Sequence, residues 1–236
     1  MAQHEVGTSR LDRDSQDWQL VAVLREGGGA RAAVQVVQRY GQPALRKDFS
    51  PAPAWLRRTV GALMARRELA AYRRLQGVEG VPRLLGSAGR DGLLLEYIAG
   101  RHTGACAPTA FTAAFFDELA VILANLRARG VLHGDVKRNV LRTAEGRPVL
   151  LDFGASFVIR WWLWPLRRGL LRVAAGYDAR AVAKLKRQVA PQLLNLGDEH
   201  ILASPMPFEA AVDFGQRILR RGTAWIARRA GGEAPR

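Results

Sequence analysis

The chain opens on short apolar runs separated by turn residues. Trp18 to Leu24 (WQLVAVL) predicts a strand, Gly27-Gly28-Gly29 breaks it, and Ala32 to Val37 resumes an apolar, β-branched run. This reads as a hairpin with a glycine-rich turn. A third strand is expected to end near Lys47-Asp48-Phe49, before Pro51 and Pro53 mark a loop. From about Leu56 to Leu75 the spacing changes. Val60, Met64, Ala71, Tyr72 and Leu75 fall on one face of a helix that Gly77 and Pro82 end. Strands around Arg83–Leu85 and Leu93–Ile98 follow, with turn residues from Ser87 to Gly92 between them.

The second half reads as more helical. Thr109 is the expected N-cap of a long helix through about Arg127. Val131 to Leu141 is compact, Val149 to Leu151 reads as a short buried strand, and Asp178 is the expected cap of a helix to about Val189. Pro207 to Arg229 contains a final basic helix. The expected organisation is a polar leader (1–16), a β-rich unit with one helix (17–99), a helical unit (100–229) and a frayed tail (230–236). The Gly/Thr/Pro-rich stretch from Gly100 to Pro108 is the natural boundary between the two units. The fold class is therefore α+β.

Composition narrows the class. Hydrophobic residues form 48% of the 236, enough for a sizeable core, which argues against global disorder. Lys and Arg number 36 against 21 Asp and Glu, a formal charge of +15 that favours anionic partners: nucleotide, phospholipid, nucleic acid or an anionic glycan. An arginine-rich solvated surface explains the same number. Cys106 is the one cysteine, so no intrachain disulfide forms, which fits a reducing compartment. The N-terminus lacks an apolar signal core, and no apolar run approaches the ~18 residues of a membrane span. The expected location is the cytoplasm, with the inner face of the cytoplasmic membrane as a contact surface.

The chemistry concentrates in a few places. Phosphoryl transfer needs a cover over the phosphates, a lysine on them, oxygen ligands for magnesium and a carboxylate near the attacking hydroxyl. Gly27, Gly28 and Gly29 can bring backbone N–H groups close to phosphate oxygens, although a triple glycine in a hairpin also reads as a flexible turn. Glu68 is a charge on the apolar face of its helix. A buried carboxylate needs a partner, and Lys47 is the expected one; at the stripe's edge, water or an arginine serves instead. Arg46 is the rival to Lys47, and strand alternation points only one of them inward.

His133-Gly134-Asp135-Val136-Lys137-Arg138-Asn139 is a stronger signal. Asp135 can orient a substrate hydroxyl, Lys137 can place positive charge beside the transferring group, and Asn139 can offer an oxygen to Mg²⁺. Asp152-Phe153-Gly154 then puts a carboxylate directly after an apolar strand, where it suits Mg²⁺. Asp213-Phe214-Gly215 repeats the tripeptide without that context and reads as structural.

With these residues in place, the sequence resembles the protein-kinase-like superfamily over residues 18–190. Within it the phrasing resembles the bacterial lipopolysaccharide-kinase branch. The resemblance rests on Lys47-Asp48-Phe49-Ser50, Glu68 through Leu75, Gly80-Val81-Pro82, Leu95-Glu96-Tyr97-Ile98, His133 through Lys137, and Asp152-Phe153-Gly154. It implies a two-lobed fold with a small antiparallel-sheet N-lobe carrying one helix, and a helical C-lobe. It also implies ATP, Mg²⁺, and adenine held at a hinge near Glu96 to Ile98. The implied acceptor is a hydroxyl of a membrane-associated lipopolysaccharide-type glycolipid. A protein serine/threonine kinase and a non-catalytic nucleotide-binding pseudokinase are the alternatives, and a nucleic-acid partner ranks last.

Three departures shape that reading. Gly134 stands where protein kinases carry arginine, Asn139 follows Asp135 by four positions rather than five, and no A-P-E follows Gly154. Only 82 residues follow Gly154, so a shortened C-lobe is expected. Arg160 to Arg168 clusters Trp161, Trp162 and Trp164 with arginines. This suits a membrane–water interface, and equally an aromatic core with a basic face.

Overall fold

A computed structural model describes residues 18–28, 32–50, 62–88, 92–159 and 167–204. The chain divides into two compact units. One holds the described residues through Ala65 together with Leu84–Tyr97; the other holds Arg66–Arg83 and the described residues from Ile98 onward.

The first unit is a five-stranded antiparallel sheet. Its strands are β1 (Gln19–Arg25), β2 (Ala33–Arg39), β3 (Gln42–Asp48), β4 (Leu84–Ser87) and β5 (Gly92–Glu96), in the order β1-β2-β3-β5-β4. The expected first hairpin is present, with Gln19 opposite Gln38 and Arg25 opposite Val34. Strands β2 and β3 pair in unbroken register from Ala33↔Asp48 to Arg39↔Gln42. The two residues between them, Tyr40 and Gly41, both have positive φ (51° and 75°). That backbone matches the right-handed twist of the flanking strands, so the tight turn sets the register. A small core of Val37, Ala44 and Leu94 packs with Trp18. β1 is an edge strand, and all seven of its residues are exposed.

The helix α1 (Ala62–Arg74) continues from the first unit into the second. Its apolar stripe is buried at Ala71, Tyr72 and Leu75, as its spacing predicted. Val60 lies outside the described residues.

The second unit is built on α2 (Ala113–Ala128), which buries Phe115, Phe116, Leu119, Ile122, Leu123 and Leu126. Its N-cap is Thr112, whose hydroxyl oxygen accepts from the Phe115 N–H, and not the expected Thr109. Pro108–Ala110 forms a separate 3₁₀ turn that carries Thr109. The helix therefore starts later, where a threonine precedes a residue free to turn helical.

Five short strands complete the unit: β6 (Arg101–His102), β7 (Val131–Leu132), β8 (Val140–Arg142), β9 (Pro148–Leu150) and β10 (Phe157–Val158). They form a β6-β8-β9 sheet and a β7-β10 pair.

Two further helices follow. In α3 (Arg167–Val189) Asp178 is an interior residue, which corrects its expected role as a cap. Its carboxylate pairs with Arg127 of α2. The sequence reading missed α4 (Leu196–Ala203). Asn195 accepts from the Asp198 N–H at 2.8 Å, and Asp198 accepts from the Asn195 N–H at 3.1 Å, a reciprocal cap. Lys186 ties the helices together: it bonds Asp198 at 2.7 Å and lies 5.4 Å above the Phe116 ring. Among the described residues no helix is long and apolar enough to cross a membrane. The expected helix at Pro207–Arg229 and Asp213-Phe214-Gly215 lie outside the described residues.

Candidate active site

The short strands of the second unit bring His133–Asn139 and Asp152–Gly154 together. β7 ends at Leu132, immediately before His133, and its partner β10 follows Asp152-Phe153-Gly154. β8 begins directly after Asn139, and its partner β9 ends two residues before Asp152. Each motif is thus anchored on both sides by pairing with the strand that flanks the other.

Direct bonds complete the junction. The Leu151 N–H donates to the Asn139 carbonyl at 2.7 Å. His133 is 1% exposed and its Nε2 lies 2.8 Å from the Leu151 carbonyl. A carbonyl only accepts, so Nε2 carries the proton. Nδ1 then accepts from the Asp135 N–H at 3.3 Å. The imidazole therefore links the residue before Asp152 to the backbone of Asp135. Its role was not foreseen among the candidate site residues, although the H-x-D spacing held the signal.

Gly134 has a steric cause. Its φ is +81°, and a Cβ there would lie 2.6 Å from the Ala155 carbonyl oxygen. Backbone passes too close to backbone for any side chain, so no arginine fits between these two loops.

Val136–Arg138 forms a 3₁₀ turn, closed by the Asn139 N–H on the Val136 carbonyl at 3.0 Å. This tight turn accommodates the four-residue step from Asp135 to Asn139. Asn139 Nδ2 donates to the Asp135 carbonyl at 2.8 Å, which leaves Oδ1 as the acceptor end of its amide. Lys137 is exposed, and Asp135 and Asn139 are half-buried.

Asp152 sits in the left-handed region, with φ 59°. A residue with a Cβ is disfavoured there by roughly 1–2 kcal/mol, so the surroundings must hold it. Asp152 Oδ1 accepts from the Gly154 N–H at 3.3 Å. Phe153 is fully buried between two rings: Tyr72 at 4.9 Å and His133 at 4.8 Å, both edge-on.

Tyr72 is 2% exposed. Burial pushes its hydroxyl well above the ordinary tyrosine range, the charges of Glu68 and Asp152 add to this, and a backbone hydrogen bond from Asp152 opposes it. Glu68 is 1% exposed, as its place on the apolar face of α1 predicted.

The donor chemistry suits Mg²⁺. Asp152 offers a carboxylate and Asn139 an amide oxygen, both hard ligands. Among the described residues no cluster of three or more His, Cys, Asp and Glu side chains forms a complete metal cage. One carboxylate and one neutral oxygen leave coordination positions for phosphate and water, which is how Mg²⁺ is usually held beside nucleotides.

In the first unit Lys47 is 6% exposed, while the Arg46 side chain is 31% exposed and meets Asp48 at 3.6 Å. Strand alternation therefore turns the lysine inward. Glu96 ends β5 opposite Ala44 and is half-buried. Ile98, also half-buried, begins the second stretch of the other unit. Gly27 and Gly28 follow β1, and a Cβ on Gly28 would touch nothing. Gly29 and Trp161–Trp164 lie outside the described residues.

The chain is similar to the Rio2 kinase from Chaetomium thermophilum, with a TM-score of 0.57 and 14% identity over 85% of this chain. The match spans 64% of the Rio2 chain's length. A Rio2 kinase-ADP/Mg²⁺-phosphoaspartate complex from the same organism gives a TM-score of 0.55 and 13% identity, covering 93% of this chain and 72% of that one. No family model and no curated protein matches the chain. The similarity establishes the fold: the chain has a protein-kinase-like α+β fold with an antiparallel-sheet N-lobe, as the motifs implied.

Proposed function

We infer that the protein is an ATP-dependent phosphotransferase that moves the γ-phosphoryl group to a hydroxyl. One observation carries this reading: the backbone and imidazole bonds that fasten Asp135 and Asn139 to the residues around Asp152. Aspartate near the acceptor and oxygen ligands for Mg²⁺ are what phosphoryl transfer requires, and here they share one rigid junction.

The residues divide the work. Asp135 accepts a hydrogen bond from the acceptor hydroxyl, orients it and takes its proton. Lys137, exposed beside it, adds positive charge where charge accumulates on the transferring group. Asp152 and Asn139 hold Mg²⁺, which when bound neutralises phosphate charge. Lys47 binds phosphate oxygens. Gly27, Gly28 and Gly29 cover the phosphates, and Glu96 to Ile98 hold adenine. The Rio2 complex with ADP and Mg²⁺ supports nucleotide and magnesium as the ligands.

A membrane-associated lipopolysaccharide-type glycolipid is the acceptor that the motif phrasing favours. The basic surplus, and the Trp161–Trp164 segment by its sequence, suit the inner face of the cytoplasmic membrane. A protein acceptor is the second reading, and the absence of A-P-E argues against it.

The test is ATP turnover by wild type, Asp135→Ala and Asp152→Ala against glycolipid and protein acceptors. Each substitution should lower kcat about 10²–10³-fold, the usual effect of removing one such electrostatic group. Wild-type rates in both variants would end the assignment. ADP binding without turnover on any acceptor would make the chain a pseudokinase.

A further inference from the structure

Strand β1 concentrates exposed apolar side chains. Leu20, Val21, Val23 and Leu24 are 58%, 54%, 43% and 58% exposed, within one short run of an edge strand. The register on β2 shows where they point. Leu20 lies opposite Val37 and Val23 opposite Gln35, whereas Lys47 lies opposite Val34. Alternation therefore puts Leu20 and Val23 on the sheet face away from the Lys47 side chain. Contact with a nucleotide beside Lys47 does not account for them.

Val21 and Leu24 fall at the two register shifts, Leu20/Ala22 and Val23/Arg25, and have no opposite residue on β2. A bulge bends an edge strand and re-aims its extra side chain. Edge strands use bulges and outward charges to stop another strand from adding. Here the bulges are present, but both extra residues are aliphatic and more than half exposed.

That combination selects the occupant. Two bulges in seven residues interrupt the row of backbone groups that an added strand needs, so sheet extension by a peptide or a second copy does not fit. Aliphatic side chains fanned over an edge and one face present no single plane, and a fluid apolar phase needs none. Charge favours the same phase. Arg25 closes the apolar run and Glu26 follows it, but from Gly27 to Lys47 the sequence has Arg31, Arg39, Arg46 and Lys47 and no Asp or Glu. With a formal charge of +15 on the whole chain, the complement is an anionic surface.

We propose that β1 inserts Leu20, Val21, Val23 and Leu24 into the headgroup–acyl boundary of an anionic bilayer, and so docks the protein on the membrane that carries its acceptor. The insertion stands on the strand itself, whereas the link to the acceptor rests on the reading of a membrane-borne glycolipid. The strand gives the apolar anchor and the basic surplus gives the attraction, the two signals that stable peripheral binding takes.

The experiment uses the full chain as wild type, as the double variant Val21→Thr/Leu24→Gln and as Leu24→Trp. Each is sedimented without nucleotide against vesicles of pure phosphatidylcholine and of equimolar phosphatidylcholine and phosphatidylglycerol. Wild type should pellet with the anionic vesicles. The double variant should partition about ten- to fiftyfold less, because two exposed aliphatic side chains no longer leave water. Leu24→Trp should partition about three- to tenfold more, because indole favours the membrane interface. Salt should weaken all three in parallel, since their charges are identical. Urea unfolding midpoints should agree, since the exchanged side chains are exposed.

Equal pelleting of wild type and both variants would overturn insertion by β1 and leave the basic surplus as the membrane contact. A wild-type dimer in sedimentation velocity without lipid, monomeric in the double variant, would give the patch to a second copy and overturn the proposal. Turnover of detergent-dispersed glycolipid by wild type is measured separately. Turnover without vesicle binding would overturn the β1 surface alone. The expected vesicle binding without turnover would overturn the acceptor reading and leave the β1 surface standing.

Discussion

Gly134→Ala gives a quantitative test of how the two motif loops meet. At Gly134 an added Cβ faces two separate penalties. The first is conformational: φ is +81°, and an L-residue held there is disfavoured by about 1–2 kcal/mol. The second is steric. The Cβ would sit 2.6 Å from the Ala155 carbonyl oxygen and 3.4 Å from its carbon, and backbone cannot swing aside as a flexible side chain can. Ala155 ends the 3₁₀ turn that starts at Phe153, and the next residue, Ser156, donates its N–H back to Phe153 at 3.0 Å. Displacing that turn is an overpacking event, which costs about 1–3 kcal/mol. The sum is about 2–5 kcal/mol.

Gly77→Ala separates the two penalties. Its φ is +76°, yet a Cβ there would meet nothing within 4 Å, so only the conformational penalty of about 1–2 kcal/mol applies. Both glycines lie in the second unit, so one unfolding transition reports on both. Urea unfolding of the two variants, with m-values compared to confirm a common transition, should show Gly134→Ala less stable than Gly77→Ala by at least about 1 kcal/mol. Gly134→Ala should also lose ATP turnover, because the shifted turn carries Asp152 with it. Equal destabilisation of the two variants would refute the close approach of the loops.

Two further outcomes follow from the corrected helices. Thr112→Ala should lower stability by about 1 kcal/mol, the usual worth of an N-cap, while Thr109→Ala stays within about ±0.5 kcal/mol; the reverse order in chemical denaturation would restore the original cap. Asp178 is half-buried, and its loss of solvent raises its carboxyl above the ordinary value of 3.8 against the opposing pull of Arg127. The folded chain then keeps a proton that the unfolded chain has already lost, so this group's contribution to stability falls as pH rises from 3.8 through the raised value. Asp178→Asn should flatten that stretch of the stability–pH curve, and an unchanged slope would refute the burial argument.

The strands and helices that follow local patterns were legible in the sequence. The β1–β2 hairpin, the buried stripe of α1 and the strand before Asp152 all came from residue spacing. The boundaries that failed were decided by competing local chemistry. Thr109 and Thr112 are both good caps, and only the 3₁₀ turn at Pro108–Ala110 selects the later one. Asp178 looks like a cap because it is a helix-starting residue, but its partner Arg127 is 51 positions away in sequence. The helix α4 escaped notice because its cap is an asparagine–aspartate pair before a weakly patterned segment.

By itself the sequence pointed to the proposed chemistry: His133, Asp135, Asn139 and Asp152 are residue types that phosphoryl transfer uses, in the order a kinase-like chain carries them. It also placed Glu68 on the buried face of its helix, because periodicity is local. What it could not decide was anything that depends on two distant segments meeting. The glycine at 134 is explained by Ala155, the protonated nitrogen of His133 by Leu151, and the buried ring of Tyr72 by Phe153. These contacts arise only when β7–β10 and β8–β9 pair and α1 packs beneath Phe153. Spacing along one element says which face is buried, whereas the tertiary structure alone says what that face touches.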